Sequence, residues 1–187
     1  MAAKALPPLE VLRQLLRYEP ETGKMFWRER GAQWFSDGGH SAEHIAARWN
    51  SRYAGKEALI TKDSFGYLAG RIFDSHYAAH RIIWAMAYGS DPGGLEVDHR
   101  DTNPSNNRLD NLRVATPSEN CCNTKKRSDN TSGSKGVSWA ASRSKWDARV
   151  TFKGKTKVIG RFRCKAAAEI AVALERQRMH GAFARVA

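Results

Sequence analysis

Cysteine is scarce and badly placed for cross-linking. Two of the three, Cys121 and Cys122, are adjacent and Cys164 stands alone, which makes neither a CxxC pair nor an even disulfide framework. A reducing compartment is expected, with the thiols as small buried apolar groups rather than redox or zinc ligands. Long apolar runs are also missing: none approaches the roughly 18 residues of a membrane span. The opening MAAKALPPLEV has no continuous apolar segment followed by a cleavage site, so no secretory signal is expected. Acidic residues are depleted in one region only. Residues 125–187 hold 16 Lys/Arg against 4 Asp/Glu, whereas residues 1–124 hold 15 of each, so the formal charge of +12 sits wholly in the last third. Such segregation favours a polyanionic partner, because each phosphate neutralised releases condensed counterions. No basic amphipathic helix with bulky apolar anchors is present, which favours nucleic acid over a membrane surface.

What the chain does contain is ordinary globular material. It has 187 residues, 41% hydrophobic and 27% charged, enough for one mid-sized domain or two small ones. Residues 8–18 place Leu9, Leu12, Leu15 and Leu16 on one helical face. A turn at Glu21–Gly23 and a strand through Met25–Trp27 follow, then a helix over Ser41–Tyr53 with Ile45, Trp49 and Tyr53 along one side. Phe65–Phe73 reads as a β-hairpin region. Ala79–Tyr88 reads as a helix burying Ile83, Met86 and Ala87 and stopping at Gly89. Lys125–Gly133 is a basic, then Ser/Asn/Thr/Gly-rich linker. Beyond it lie three strands, Val137–Trp139, Trp146–Phe152 and Thr156–Phe162, with a tight turn at Lys153–Lys155. A helix of about 16 residues then carries Ala167, Ile170, Ala171 and Leu174 as its apolar stripe. The fold class is α+β. The expected division is a lead-in over 1–75, a central unit over 76–124, a linker over 125–132 and a terminal module over 133–187.

The chemistry concentrates in Val97–Asn123. Asp98 is an oxygen ligand suited to Mg²⁺ or Mn²⁺. His99 beside it can accept a proton at pH 7, since an unperturbed imidazole titrates near 6.5. Asn103, Asn106, Asn107 and Asn111 are natural turn formers in the loop that follows. Thr116 as N-cap, Pro117 at N1 and Glu119 at N3 make a capping box, which puts Asn120 in the first turn of a helix. A base, a hard-metal ligand and a polyphosphate partner together suggest phosphodiester hydrolysis.

Those residues carry a resemblance. VDHRDTNPSNNRLDNLRVATPSEN resembles the HNH endonuclease motif in the variant found in phage and intron-encoded homing endonucleases, and AHRIIWAMAYG resembles the His-Arg-led helix before it. The resemblance implies a ββα-metal unit: two strands, a loop and a helix around one divalent ion, Mg²⁺ or Mn²⁺. It implies His99 as general base, Asp98 and Asn120 as metal ligands, and Asn111 orienting the base and bracing the loop. Asn123 is the alternative helix ligand, and His80 is assigned a structural role. Residues 132–187 resemble the DNA-binding domain of plant ethylene-response factors, a three-stranded sheet plus helix that enters the major groove. That likeness implies DNA contacts from Lys135, Trp139, Lys145, Trp146, Arg149, Lys157 and Arg161, while Ser138 and Thr151 stand where the family often has arginine. The reading is a monomeric, metal-dependent HNH homing endonuclease on double-stranded DNA, with no organic cofactor and no membrane. It is expected in the cytoplasm of a bacterial host, encoded by a phage or prophage. The alternative is a sequence-specific DNA-binding protein in which the HNH unit is only scaffold.

Overall fold

A computed structural model describes residues 4–123 and 128–184. Two compact units divide the chain, Met1–Val114 and Ala115–Ala187.

In the first unit, α1 (Leu9–Leu15) starts directly after Pro8, which cannot donate a helical hydrogen bond but suits a helix entrance. The leucine spacing predicted a helix to residue 18, yet the chain turns extended at Leu16. Strand β1 (Leu16–Glu19) pairs antiparallel with β2 (Lys24–Trp27), and that ladder, with Leu16 fully buried, overrides the helical pattern. Gly23 makes the connecting turn at φ +74, the left-handed region that only glycine enters without strain. After a 3₁₀ turn at Ala32–Trp34, α2 (Ala42–Tyr53) is capped by the Ser41 side chain. Strands β3 (Thr61–Lys62), β4 (Leu68–Ile72) and β5 (Ser75–Ala78) then form an antiparallel sheet in sequential order, so the hairpin region is the middle of three strands. Helix α3 (Ala79–Tyr88) ends on Gly89 in the left-handed conformation, the expected stop. Its buried face differs from the expected one. Ala79, Ile82, Ile83 and Ala85 are buried, Met86 is half-buried and Ala87 is exposed. Strand β6 (Glu96–His99) pairs with β7 (Leu112–Ala115), and a 3₁₀ turn at Leu109–Asn111 leads into the latter.

One apolar core serves the whole unit. Leu12, Leu15, Leu16 and Met25 from the lead-in meet Ile72, Ile82, Ile83, Val97 and Leu112. Each such large side chain, fully buried, contributes about 1.5–3 kcal/mol. The β6–β7 pair therefore leans on apolar residues drawn from the whole preceding sequence.

In the second unit the capping box of α4 (Pro117–Cys122) forms between Thr116 and Glu119. Strands β8 (Val137–Ala140), β9 (Lys145–Phe152) and β10 (Lys155–Phe162) make an antiparallel sheet in the order β10-β9-β8, with a bulge between Val158 and Gly160. The β9–β10 turn has Lys153 and Gly154 both at positive φ, as a two-residue hairpin requires. Helix α5 (Lys165–His180) covers the sheet through Ala168 and Val172, which meet Val137, Ala148 and Val150. This corrects the expected stripe: Ile170 and Leu174 are 61% and 64% exposed. Small residues at 168 and 172 let the helix sit close to Ala148, and that close approach selects the face over the bulkier pair. The cysteines need correcting too, since Cys121 and Cys164 are exposed rather than buried. Cys121 lies on a short helix and Cys164 at the entrance to α5, neither inside a core. Of the linker, residues 124–127 lie outside the described residues; the part that follows is a turn in which Asn130 and Ser132 bond to the Ser134 carbonyl.

Gly23 meets the Asn-rich loop at close range: a Cβ there would lie 2.6 Å from the Arg108 nitrogen and 2.7 Å from the Asn107 carbonyl carbon. Gly23→Ala is expected to destabilise the protein by about 1–3 kcal/mol, from left-handed strain plus this backbone clash. Urea unfolding of the variant checks it; stability equal to wild type would show that the contact yields.

Candidate active site

The end of β6 buries its polar residues. Asp98 and His99 are 6% and 3% exposed, although neighbours on a strand point to opposite faces. Each is sheltered by a different partner. On one side the Asp98 Oδ2 accepts from Arg113 of β7 through Nε and Nη2, both at 2.8 Å. This is a buried carboxylate paired with a buried guanidinium, an arrangement that is costly to break from either side.

On the other side the His99 Nε2 lies 2.9 Å from Asn107 Oδ1. With the amide presenting its oxygen, Nε2 carries the proton and Nδ1 the lone pair. Burial pushes His99 below the usual histidine range, and the Asn107 bond together with Asp101 and Asp98 pulls it back only in part. The ring is therefore neutral at pH 7. Two more aromatic groups enclose it. Tyr67 lies 5.6 Å away by ring centroids and His80 of α3 meets it edge-on at 5.2 Å. Burial, and then the neighbouring His99, brings His80 down to about 3, and its Nδ1 is buried without a hydrogen bond. Tyr67 is raised by burial and then by the charge of Asp98.

The loop between the strands is closed by amides. Asn111 donates to Asp101 Oδ1 at 3.0 Å and to the Asn106 carbonyl at 2.8 Å, and its own Oδ1 accepts from the Asp101 backbone. Burial works against ionisation of Asp101, but bonds from Asn106, Asn103 and Asn111 outweigh it and hold the carboxyl below its ordinary value. Asn107, not Asn111, is thus the side chain bonded to the imidazole, and Asn111 secures the loop that delivers it. Sequence reasoning treated Asn107 as a turn former and did not single out Arg113. The signal for Arg113 was its position on a strand facing Asp98; for Asn107, a second adjacent Asn gave no means of choosing between them.

Asn120 belongs to the second unit, in the first turn of α4, where its backbone N–H donates to Thr116; Asn123 caps that helix and is buried. Among the described residues no group of three or more His, Cys, Asp or Glu side chains is placed to hold a metal ion. The donors of the predicted site are instead carboxylate and amide oxygens. That chemistry fits a hard divalent ion, which keeps several waters when protein ligands are few.

In the terminal sheet the predicted contact residues divide between two faces. By register and alternation, Lys145, Arg149 and Arg161 share the face away from α5 with Asp147. Asp147 pairs with Arg149 at 2.8 Å and with Arg161 at 3.3 Å, which orders both guanidiniums. Trp139, Trp146 and Lys157 lie on the helix side. The two tryptophan rings are 5.2 Å apart with Trp139 half exposed, and Lys157 is bound to Glu175 of α5. Lys135 lies just before β8.

The profile of the HNH endonuclease family matches residues 77–121, the span from the end of β5 through α3, β6 and β7 into α4. The chain is also 44% identical over 108 residues to Protein 3.8 of Escherichia phage T7, covering 57% of this chain and 87% of that protein. No solved structure matches it. The chain carries an HNH endonuclease domain, and it belongs to the same family as that phage protein.

His80 supplies a pH test of the site's packing. Its folded value of about 3 lies below the ordinary 6.5, so between those values the unfolded chain binds a proton that the folded chain refuses. Stability must therefore fall as pH drops below 6.5, approaching about 1.4 kcal/mol per pH unit from this group alone. His80→Gln is expected to flatten that dependence, measured by urea unfolding at pH 7 and pH 5. An unchanged pH slope in the variant would mean that His80 is accessible to protons in the folded state.

Proposed function

We propose that this chain is a metal-dependent DNA endonuclease of the HNH homing type, working as a monomer on double-stranded DNA. The observation that carries the reading is the buried His99 ring, neutral and bonded through Nε2 to Asn107. A base held in this tautomer presents Nδ1 to a water molecule. The water attacks phosphorus, its proton passes to His99, and the bond to the leaving 3′-oxygen breaks as that oxygen takes a proton from solvent. Asn107 keeps the ring from rotating, while Asn111 and Asp101 hold the loop that carries Asn107. Asp98 and Asn120 would hold Mg²⁺ or Mn²⁺, with Asn123 the alternative; when bound, such an ion stabilises the charge that develops on the phosphate and the leaving oxygen.

The ββα arrangement of β6, β7 and α4 is part of this proposal, as is the division into lead-in, nuclease unit, linker and terminal module. The terminal module, similar to the DNA-binding domain of plant ethylene-response factors, is proposed as the reading head. Lys145, Arg149 and Arg161 on its outward face are the best placed of the predicted contacts; Lys135, Trp139, Trp146 and Lys157 are then contacts at its margin.

One observation favours a second reading. Asp98 already has its charge balanced by Arg113, as a scaffold unit that binds DNA without cutting it would have. Supercoiled plasmid incubated across a Mg²⁺ titration separates the two. The nuclease reading expects metal-dependent nicking, with His99→Ala slowing it by roughly 10²–10⁴-fold at unchanged DNA affinity and Asn107→Ala slowing it less. Nicking by His99→Ala at the wild-type rate would sink the assignment of the base, and no nicking at any Mg²⁺ concentration would favour the scaffold.

A further inference from the structure

The lead-in supplies most of the walls of two adjoining clefts, of about 610 and 460 Å³, that share Arg13, Arg17 and Arg28. We propose that they form a second DNA site, which takes phosphates of the duplex flanking the scissile bond. The inference rests on the nuclease reading for its choice of DNA as ligand.

Three exposed guanidiniums gathered in one place repel one another unless an anion joins them. Two of them have no such anion. Arg28 donates to the Leu16 carbonyl at 3.1 Å and Arg13 to the Met86 carbonyl at 3.4 Å. These bonds aim the groups without neutralising them, and among the described residues neither forms an ion pair. Arg17 is paired with Glu19 and lies over the Phe26 ring, so its charge is already met. Glu29 is the acidic residue on the wall of the larger cleft. General basicity does not explain the cluster, because residues 1–124 carry as many acids as bases. Trp27 and Trp34 line the same wall and offer an apolar surface for deoxyribose, the pattern of a backbone-positioning contact.

Position links the clefts to catalysis. Tyr18 and Leu109 line the smaller one, and the Tyr18 hydroxyl donates to the Asn107 carbonyl at 2.9 Å. That is the residue whose side chain holds His99. A strand seated on Arg13 and Arg28 thus lies against the loop that presents the base.

Fluorescence anisotropy with a DNA duplex in EDTA, over a series of salt concentrations, tests this on the full chain without cleavage. Arg13→Glu/Arg28→Glu is compared with the charge-matched Arg48→Glu/Arg52→Glu on the exposed side of α2, and unfolding curves confirm that both fold. The cleft pair is expected to weaken binding and to lower the slope of log affinity against log salt by about 0.9 for each of two lost phosphates; the α2 pair should leave the slope unchanged. If Arg13→Glu/Arg28→Glu fails to fold, Arg13→Gln/Arg28→Gln carries the same readout. Equal losses from both pairs, or an unchanged slope for the cleft pair, would overturn the proposal. Plasmid nicking by wild type in Mg²⁺ is scored separately: binding through the cleft without nicking sinks the nuclease reading and leaves this one standing.

Discussion

The bond between His99 and Asn107 is the constraint on which the rest of the first unit converges. An imidazole on a strand end can rotate; one bonded to a buried amide cannot. Asn107 is in turn gripped through its backbone. The Tyr18 hydroxyl of β1 holds its carbonyl, and Gly23 of the β1–β2 turn packs directly against the Asn107–Arg108 peptide. The hairpin is itself fixed because Leu16 and Met25 are buried in the same core as Val97 and Leu112. Apolar burial far from the motif thereby becomes positional control of one nitrogen atom.

The two sides of β6 meet different electrostatic needs. Asp98 is paired in the interior with the Arg113 guanidinium. His99 stays neutral because burial disfavours its cation and the neighbouring carboxylates do not fully offset that. His80 sharpens the contrast: burial, and then the neighbouring His99, hold it down at about 3, and its Nδ1 is buried without a partner. One strand end thus holds an ion-paired carboxylate and a neutral base side by side. Polar groups placed at such expense are a better sign of chemistry than exposed ones.

In the terminal module the same economy appears at the surface. Charge is abundant there, and one acid, Asp147, sets Arg149 and Arg161 on the outward face. Lys157, by contrast, is committed to Glu175 and the helix. Net charge therefore overstates how many cations are poised for a polyanion.

Much of this was legible in residue order. Glycine at 89, the Thr116–Glu119 capping box and the Lys153–Gly154 turn act over a few residues, so local chemistry determined them. The Asp98-His99 pair and the asymmetric charge were equally plain, as was the nature of the domain to which residues 77–121 belong. Helix length after Leu15, the buried faces of α3 and α5, and the exposure of Cys121 and Cys164 were decided otherwise. In each case an apolar pattern allowed more than one face, and packing against a partner distant in sequence chose between them. The same holds at the centre of the site. Sequence alone determined that an asparagine-rich loop follows His99; only the tertiary structure decided that Asn107 reaches the ring and Arg113 reaches Asp98, because one contact folds back from a loop and the other crosses between two strands, where spacing along the chain carries no information about which side chain arrives.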